Sequence, residues 1–525
     1  PLPVDETRYL AVAWEMWLRD DYLVPYLNGE AYHHKPPLLF WLMTAGWSVF
    51  GVNDWWPRLV APLFALLALY LTGTLSRLLW PGNNETARLA STILVGALFW
   101  SIFQTLTMFD MMLATCTLAG LAGIVQTWRQ GSLGGWAITA LAIGVGGLAK
   151  GPAILLHILP VALLAPWWGR GLSGGPDRPL VSWRRWYLSL LLSVLCGVAI
   201  ALLWAIPAGI RGGPEYREMI FWGQSAGRIV ESFDHARPFW WYAALLGPLL
   251  LPWVIWPRLW RACIGMLASG SGLQDGAVRL LISWALPALV IFSLISGKQL
   301  HYLLPEFAAF ALLFAHLLNR SQAAKGRRLD GIFMALFFGV LGTVVIALPY
   351  LADHFDMPEW FVHLDTLWGG LLLVAAVVCW FQVPGPVQRS VSVIALSMAL
   401  LVSVVHLTAR DALRAVYDFR PLAQALKAYE DQGLALANFS TYHGQYQFLG
   451  RLHHPMAVLG LLAADTQTFV KAHPEGVLVA YYYLDQMPVF PADVKPLATY
   501  RFGDTVIILW HAGLLARYPH LADRS

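Results

Sequence analysis

The sequence predicts an all-α polytopic membrane domain followed by a small external α/β domain, and three observations predict it. Hydrophobic residues make up 58% of the 525 and charged residues only 13%, where soluble domains carry about a quarter charged residues. Twelve apolar stretches approach the ~20 residues needed to cross a bilayer. After residue 408 charge rises and the long apolar runs give way to short, strand-like ones. The net charge of +4 points to no nucleic acid, because the basic residues lie in short loops between apolar segments. The four cysteines form neither a disulfide framework nor a zinc spacing. Tryptophan flanks many apolar runs, as expected at membrane interfaces.

Residues 1–56 read as an external loop with two interfacial helices. Asp5 can cap the first. Leu10, Trp14 and Trp17 form an apolar stripe at helical spacing, with Glu6, Glu15 and Arg19 elsewhere. That pattern suits a helix lying in the interface plane. The second starts at Pro36-Pro37 and ends near Gly51, too short to cross.

The transmembrane domain covers 57–408. Its spans are expected at 57–80, 88–107, 110–128, 135–150, 152–168, 186–208, 239–257, 279–296, 302–319, 330–350, 367–383 and 390–408. Arg77, Arg129, Arg170, Arg184, Arg185, Arg258, Arg261, Arg320, Arg327, Arg328 and Arg389 fall on one side. The positive-inside bias makes that side cytoplasmic. The first span then runs inward, and residues 1–56 and the tail are external. A chain starting outside with PLPVDE implies either a removed signal peptide or a missing N-terminal helix, and the favoured helix would make thirteen in all.

The tail, 409–525, is expected to be an external α/β domain. LALANFS and VLVAYYYL read as buried strands. ATYRFGDTVIILW reads as a hairpin turning at Gly503-Asp504. RPLAQALKAYEDQG reads as an amphipathic helix ending at Gly433.

The candidate chemistry gathers at external helix ends. In AYHHKPPLLFW, Lys35 stands before a proline-led helix start, whose free N–H groups attract anions. Lys150 (GGLAKGPAILL) and Lys298 (ISGKQLHYLLP) also lie at outward-facing ends, against the positive-inside bias. Three of only seven lysines there suggest an anionic substrate reachable from the bilayer, and a lipid phosphate fits. Asp110 (TLTMFDMMLAT) is one carboxylate in an apolar run, costly near a bilayer unless it works or is paired. With Asp5 it would give two carboxylates on one face. In GRIVESFDHARPFWWY, Arg237 suits bidentate phosphate binding. His33, His34 and His235 could join a carboxylate around a divalent metal, zinc or magnesium. No GxGxxG, Walker A, HExxH or nucleophilic-serine motif occurs in a credible context. A sugar donor would therefore be a lipid.

The stretch DETRYLAVAWEMWLRDDYLVPYLNGEAYHHKPPLLFWL resembles the first external loop of bacterial aminoarabinose transferases. These are polyprenyl-phosphate-dependent GT-C glycosyltransferases, a group that includes the protein O-mannosyltransferases. TMFDMML, GGLAKGPAIL, FDHARPFWWY and SGKQLHYLLP extend the resemblance from residue 5 to about 320. Beyond that it is architectural. The resemblance implies a thirteen-helix GT-C fold with a periplasmic α/β domain, in the bacterial inner membrane. It implies transfer of a sugar from undecaprenyl phosphate, with inversion, to lipid A or another envelope acceptor, by a monomer. Asp5 and Asp110 would be the catalytic carboxylates. Lys35, Lys150, Arg237 and Lys298 would hold phosphate, with Arg8 and Tyr302 beside them. His34 and His235 would be metal ligands. One position departs from the family's Phe-Glu-Lys-Pro pattern. Here it reads His33-His34-Lys35-Pro36, and His34 stands where the glutamate is usual. A neutral imidazole cannot pair with a donor's amino group as carboxylate does. A polyprenyl-lipid transporter is the alternative class. Its usual internal repeats and midplane charges are not found here.

Overall fold

The computed structural model describes residues 5–172, 180–227, 237–270, 272–320, 326–352, 354–355, 357–460, 463–484, 487, 490 and 494–518. Its first part is α1 (Asp5–Arg19), a short hairpin of β1 (Tyr26–Leu27) and β2 (Glu30–Ala31), and α2 (Leu38–Phe50), which ends at Gly51. A helical bundle follows: α3 (Trp56–Leu79), α4 (Asn84–Val95), α5 (Leu98–Phe103), α6 (Asp110–Gln130), α7 (Leu133–Lys150), α8 (Ala153–Leu163) and further helices up to Val387–Tyr417. This last helix runs past residue 409.

Eight of the twelve expected segments form helices long and apolar enough to span a membrane. The other four are broken or short. The 88–107 run splits into α4 and α5 at Gly96. The Trp253 ring lies where a Cβ on Gly96 would sit, 2.7 Å from its nearest ring atom, and Trp253 Nε1 donates to the Ile93 carbonyl at 2.9 Å. The 152–168 run breaks at Leu164, between α8 and Ala165–Trp168. The 239–257 run is a helix Trp241–Leu249 followed by a 3-10 turn, and the 367–383 run gives the helix Gly369–Gln382. A proline inside each of the 152–168 and 239–257 regions, Pro160 and Pro248, removes a backbone donor.

The tryptophans are not confined to interfaces. Trp128, Trp168, Trp186, Trp253, Trp256 and Trp284 are fully buried inside the bundle. Trp168 and Trp186 donate to the carbonyls of Val161 and Ala162 at 2.7 and 3.2 Å. That satisfies the indole N–H in a place with no water. On the basic side, Arg261 grips buried Asp330 through both nitrogens at 2.9 and 2.7 Å, and Arg258 donates to the Gly385 carbonyl.

After Tyr417 come a helix, Arg420–Asp431, and a five-stranded sheet of order β4-β3-β5-β7-β6. Its strands are β3 (Leu436–Phe439), β4 (Ala457–Leu459), β5 (Val477–Tyr483), β6 (Ala498–Phe502) and β7 (Thr505–His511). β3 pairs parallel with β4 and β5, while β7 pairs antiparallel with β5 and β6. The β6–β7 hairpin turns at Gly503-Asp504 as expected, with Phe502 opposite Thr505. The preceding helix gives way at Gly433, whose φ of +77° suits glycine.

This domain packs on α1 and the first loop. Trp47 stacks on Phe448 with centroids 5.1 Å apart. Trp14 Nε1 donates to the Leu452 carbonyl at 2.9 Å. Asn28 and Met456 exchange two hydrogen bonds, and Arg451 pairs with Asp54 at 2.7 Å. On α1, Glu6, Thr7 and Glu15 are buried together with Leu10 and Trp14, while Trp17 is half-buried.

Candidate active site

The site is built at one end of the bundle. Helices α6 and α7 are joined by a tight turn at Gly131 and pack as an antiparallel hairpin. Close approach is possible because Gly123 faces the Gly135 backbone, with no side chains between them. The first residue of α6 therefore lies beside the last residue of α7. Those residues are Asp110 and Lys150. The Lys150 ammonium donates to Asp110 Oδ1, with side chains only 12% and 3% exposed. A carboxylate at a helix N-terminus and an ammonium at a C-terminus also suit the two helix dipoles. Gly151, at φ +67°, ends α7 directly after the lysine.

A 3-10 turn, Leu300–Glu306, forms the second wall. The Tyr302 ring lies 5.1 Å from Lys150 Nζ in a cation–π contact. His301 and Lys35 are both within electrostatic reach of Asp110. Tyr242 donates to the Gln299 carbonyl at 2.8 Å and secures the start of this turn.

Helix α1 forms the third wall. Glu6 accepts from the Thr107 backbone N–H at 2.7 Å and so ties α1 to the loop leading into Asp110. Tyr9 packs edge-on against Phe109 at 4.9 Å. Desolvation raises the pKa of this phenol, helped by the negative charges of Asp5 and Asp110 nearby. Asp5 itself is open, with a side chain 55% exposed and Arg8 Nη1 at 3.7 Å. The last domain reaches in here too. Arg8 Nη2 lies 3.4 Å from His443 Nδ1. Burial, then the Arg8 charge, lowers the His443 pKa against a smaller opposite pull from Asp5.

The structure thus brings together Asp5, Arg8, Lys35, Asp110, Lys150 and Tyr302. Lys298 is held differently from expectation. It is buried, and its ammonium donates to the Arg237 carbonyl at 2.9 Å and to the Ile295 carbonyl at 2.5 Å. It pins the segment at Arg237, whose own side chain is exposed. His34 packs its ring on His33 and Tyr32. His235 lies outside the described residues. Among the described residues no three His, Cys, Asp or Glu side chains gather as a metal-binding set, so His33 and His34 belong to no such set there. Sequence reasoning missed three contributors. His301 was within reach, because it neighbours Tyr302 in SGKQLHYLLP. Glu6 was visible only as half of an acidic pair. His443 gave no local signal at all.

An arrangement of two acids, three cations and a tyrosine at one end of a membrane bundle, covered by an α/β domain, defines a GT-C type architecture. Comparison with solved structures agrees. The chain superposes on ArnT from Cupriavidus metallidurans in the apo state with a TM-score of 0.76 at 22% identity, over 97% of this chain and 93% of that one. On the same protein bound to undecaprenyl phosphate the TM-score is 0.73 at 21% identity, over 97% and 94%. A family model described as dolichyl-phosphate-mannose-protein mannosyltransferase matches residues 34–207. Curated relatives are undecaprenyl phosphate-alpha-4-amino-4-deoxy-L-arabinose arabinosyl transferases. The one from Edwardsiella ictaluri is 29% identical over 357 residues, 66% of this chain and 60% of the relative. The one from Pectobacterium carotovorum is 30% identical over 389 residues, 72% of this chain and 65% of the relative. The match therefore spans somewhat under two thirds of these relatives' length. The chain has the GT-C fold, and its sequence is related to the aminoarabinose transferases of the polyprenyl-phosphate-dependent group.

Proposed function

We propose that this protein is an inverting glycosyltransferase that moves 4-amino-4-deoxy-L-arabinose from undecaprenyl phosphate to lipid A. The reaction takes place at the periplasmic face of the bacterial inner membrane. The observation that carries the reading is the Lys150–Asp110 pair with Tyr302 against it. A lysine held by a buried carboxylate at the membrane end of a bundle suits a lipid phosphate. The relatives named for undecaprenyl-phosphate-linked aminoarabinose supply the sugar.

The chemistry is one displacement. An acceptor oxygen bonds to the anomeric carbon as the bond from that carbon to the phosphate oxygen breaks. The electron pair leaves on the polyprenyl phosphate. Its growing charge is met by Lys150 and Lys35, with Arg237 reaching from the segment that Lys298 pins. Cations already in place where charge grows need no reorganisation during reaction. Asp110 is held by Lys150, so its part is to aim the ammonium. Asp5 is the open carboxylate. It orients an acceptor phosphate, or takes the proton if the acceptor is a hydroxyl.

A transfer assay in detergent tests this. Synthetic short-chain polyprenyl-phosphate sugars are offered with an envelope lipid extract, and products are read by mass spectrometry. Transfer of aminoarabinose to lipid A that Asp5→Asn abolishes supports the reading. If no sugar moves while labelled polyprenyl phosphate binds both proteins equally, the transporter reading replaces it.

A further inference from the structure

The bundle holds another ionisable pair, away from the reacting groups. His157 Nδ1 lies 2.5 Å from Glu306 Oε1, and the two side chains are 0% and 1% exposed. Both sit within apolar helical segments. Ionisable groups there are costly and usually functional. An apolar pair of similar volume would often serve stability as well or better. The pair therefore calls for a reason other than stability.

Position supplies one. His157 is on α8, seven residues after Lys150. Glu306 ends the 3-10 turn, four residues after Tyr302. The turn thus meets the α7–α8 corner twice, once at the end of α7 and once on α8. One meeting is Lys150 with Tyr302 at 5.1 Å, and the other is His157 with Glu306. Phe292 bridges the two rungs. Its centroid is 5.6 Å from that of His157 and 5.6 Å from that of Tyr302. A 3-10 turn has poor hydrogen-bond geometry and three residues per turn. A slip of one residue would swing Tyr302 by about 120° away from Lys150. Apolar contacts alone tolerate such a slip, whereas a hydrogen bond between two buried groups has one register.

We propose that His157 and Glu306 are positioning residues that fix the register of the Leu300–Glu306 turn, and so hold Tyr302 and His301 against Lys150 and Asp110. They touch no reacting atom. The inference rests on the glycosyl-transfer reading for its kinetic consequence, but its geometric consequence stands apart from it.

The test compares Glu306→Gln, which keeps an acceptor for the His157 ring, with Glu306→Leu, His157→Phe and their double variant, which suit an apolar core. Two readouts are used. The first is kcat and KM for sugar transfer. The second is the rate at which an amine-acylating reagent labels Lys150, read by mass spectrometry, which needs no activity. Expected are thermal stability close to wild type for the apolar double variant and for Glu306→Gln but lower for the apolar single variants, about a tenfold or greater fall in kcat for the apolar variants, and a change below about threefold in donor KM, since misplacement by an ångström costs rate heavily. The double variant should lose no more than either single. Lys150 should label at least about threefold faster in the apolar variants, once Tyr302 no longer covers it. Glu306→Gln should restore both readouts. If the apolar double variant keeps wild-type kcat and wild-type labelling, or if Glu306→Gln fails as badly as Glu306→Leu, the proposal is overturned. If wild type transfers no sugar yet labelling still follows the expected order, the functional reading fails and the positioning role stands.

Discussion

Asp110 and Lys150 begin and end consecutive helices, forty residues apart in the chain, and meet because those helices fold back on each other. Each is the other's counter-charge in a place that neither could occupy alone. Removing one partner of a buried pair typically costs ~3 kcal/mol, while removing both costs less. Asp110→Asn and Lys150→Met should each lower the melting temperature in detergent. The double variant should recover much of that loss and none of the transfer activity.

Asp5 behaves oppositely. Its side chain is mostly exposed and its nearest cation is 3.7 Å away. Exposed substitutions usually change stability by less than ~0.5 kcal/mol. Asp5→Asn should therefore melt with wild type. Its kcat should fall by ~10²-fold or more if Asp5 handles the acceptor proton. Coincident loss of fold and activity would remove Asp5 from the mechanism.

Gly444 marks a close approach of the last domain to α1. A Cβ there would stand 2.7 Å from both Ala11 and Leu27, and its φ is +75°. Gly444→Ala should cost roughly 1–3 kcal/mol through overpacking and backbone strain. Limited proteolysis should then cleave the 440–456 loop faster than in wild type. An unchanged cleavage rate would mean that the two surfaces separate freely.

His443 gives the seam a pH dependence. Its folded pKa is depressed by burial and by Arg8, so below the ordinary histidine value the unfolded chain binds the proton and the folded chain does not. Stability is then full above about pH 6.5 and falls as pH drops towards the folded pKa. The melting temperature of wild type should drop more between pH 7 and 5 than that of His443→Gln. Parallel profiles would show that another group titrates.

Much of this was legible in the sequence because it is local. VLVAYYYL and the Gly503-Asp504 turn carry their strand and hairpin in their own composition. A lysine at a helix end, against the charge bias, announced Lys150 without any neighbour. What was illegible depends on distant partners. The break at Gly96 follows from Trp253. The role of Lys298 follows from carbonyls at Ile295 and Arg237. The pairing of His157 with Glu306 spans 149 residues. Arg8 and His443 are separated by 435. The stripe on α1 marks one buried face, and nothing in its fifteen residues says that Glu6, Thr7 and Glu15 are buried too.

The clamp between Arg451 and Asp54 joins positions 397 residues apart, and it has a consequence in time. A ribosome adding roughly 5–20 residues per second needs about 20–80 seconds to travel that distance. Throughout that interval α1 and the first loop wait with Trp14 and Trp47 lacking the surface that later covers them. The end of the bundle that holds Asp110 and Lys150 can form early from α6, α7 and the Leu300–Glu306 turn. The contacts on α1 and the first loop cannot close until the chain has passed residue 456. The helical bundle is thus made before the roof that covers α1.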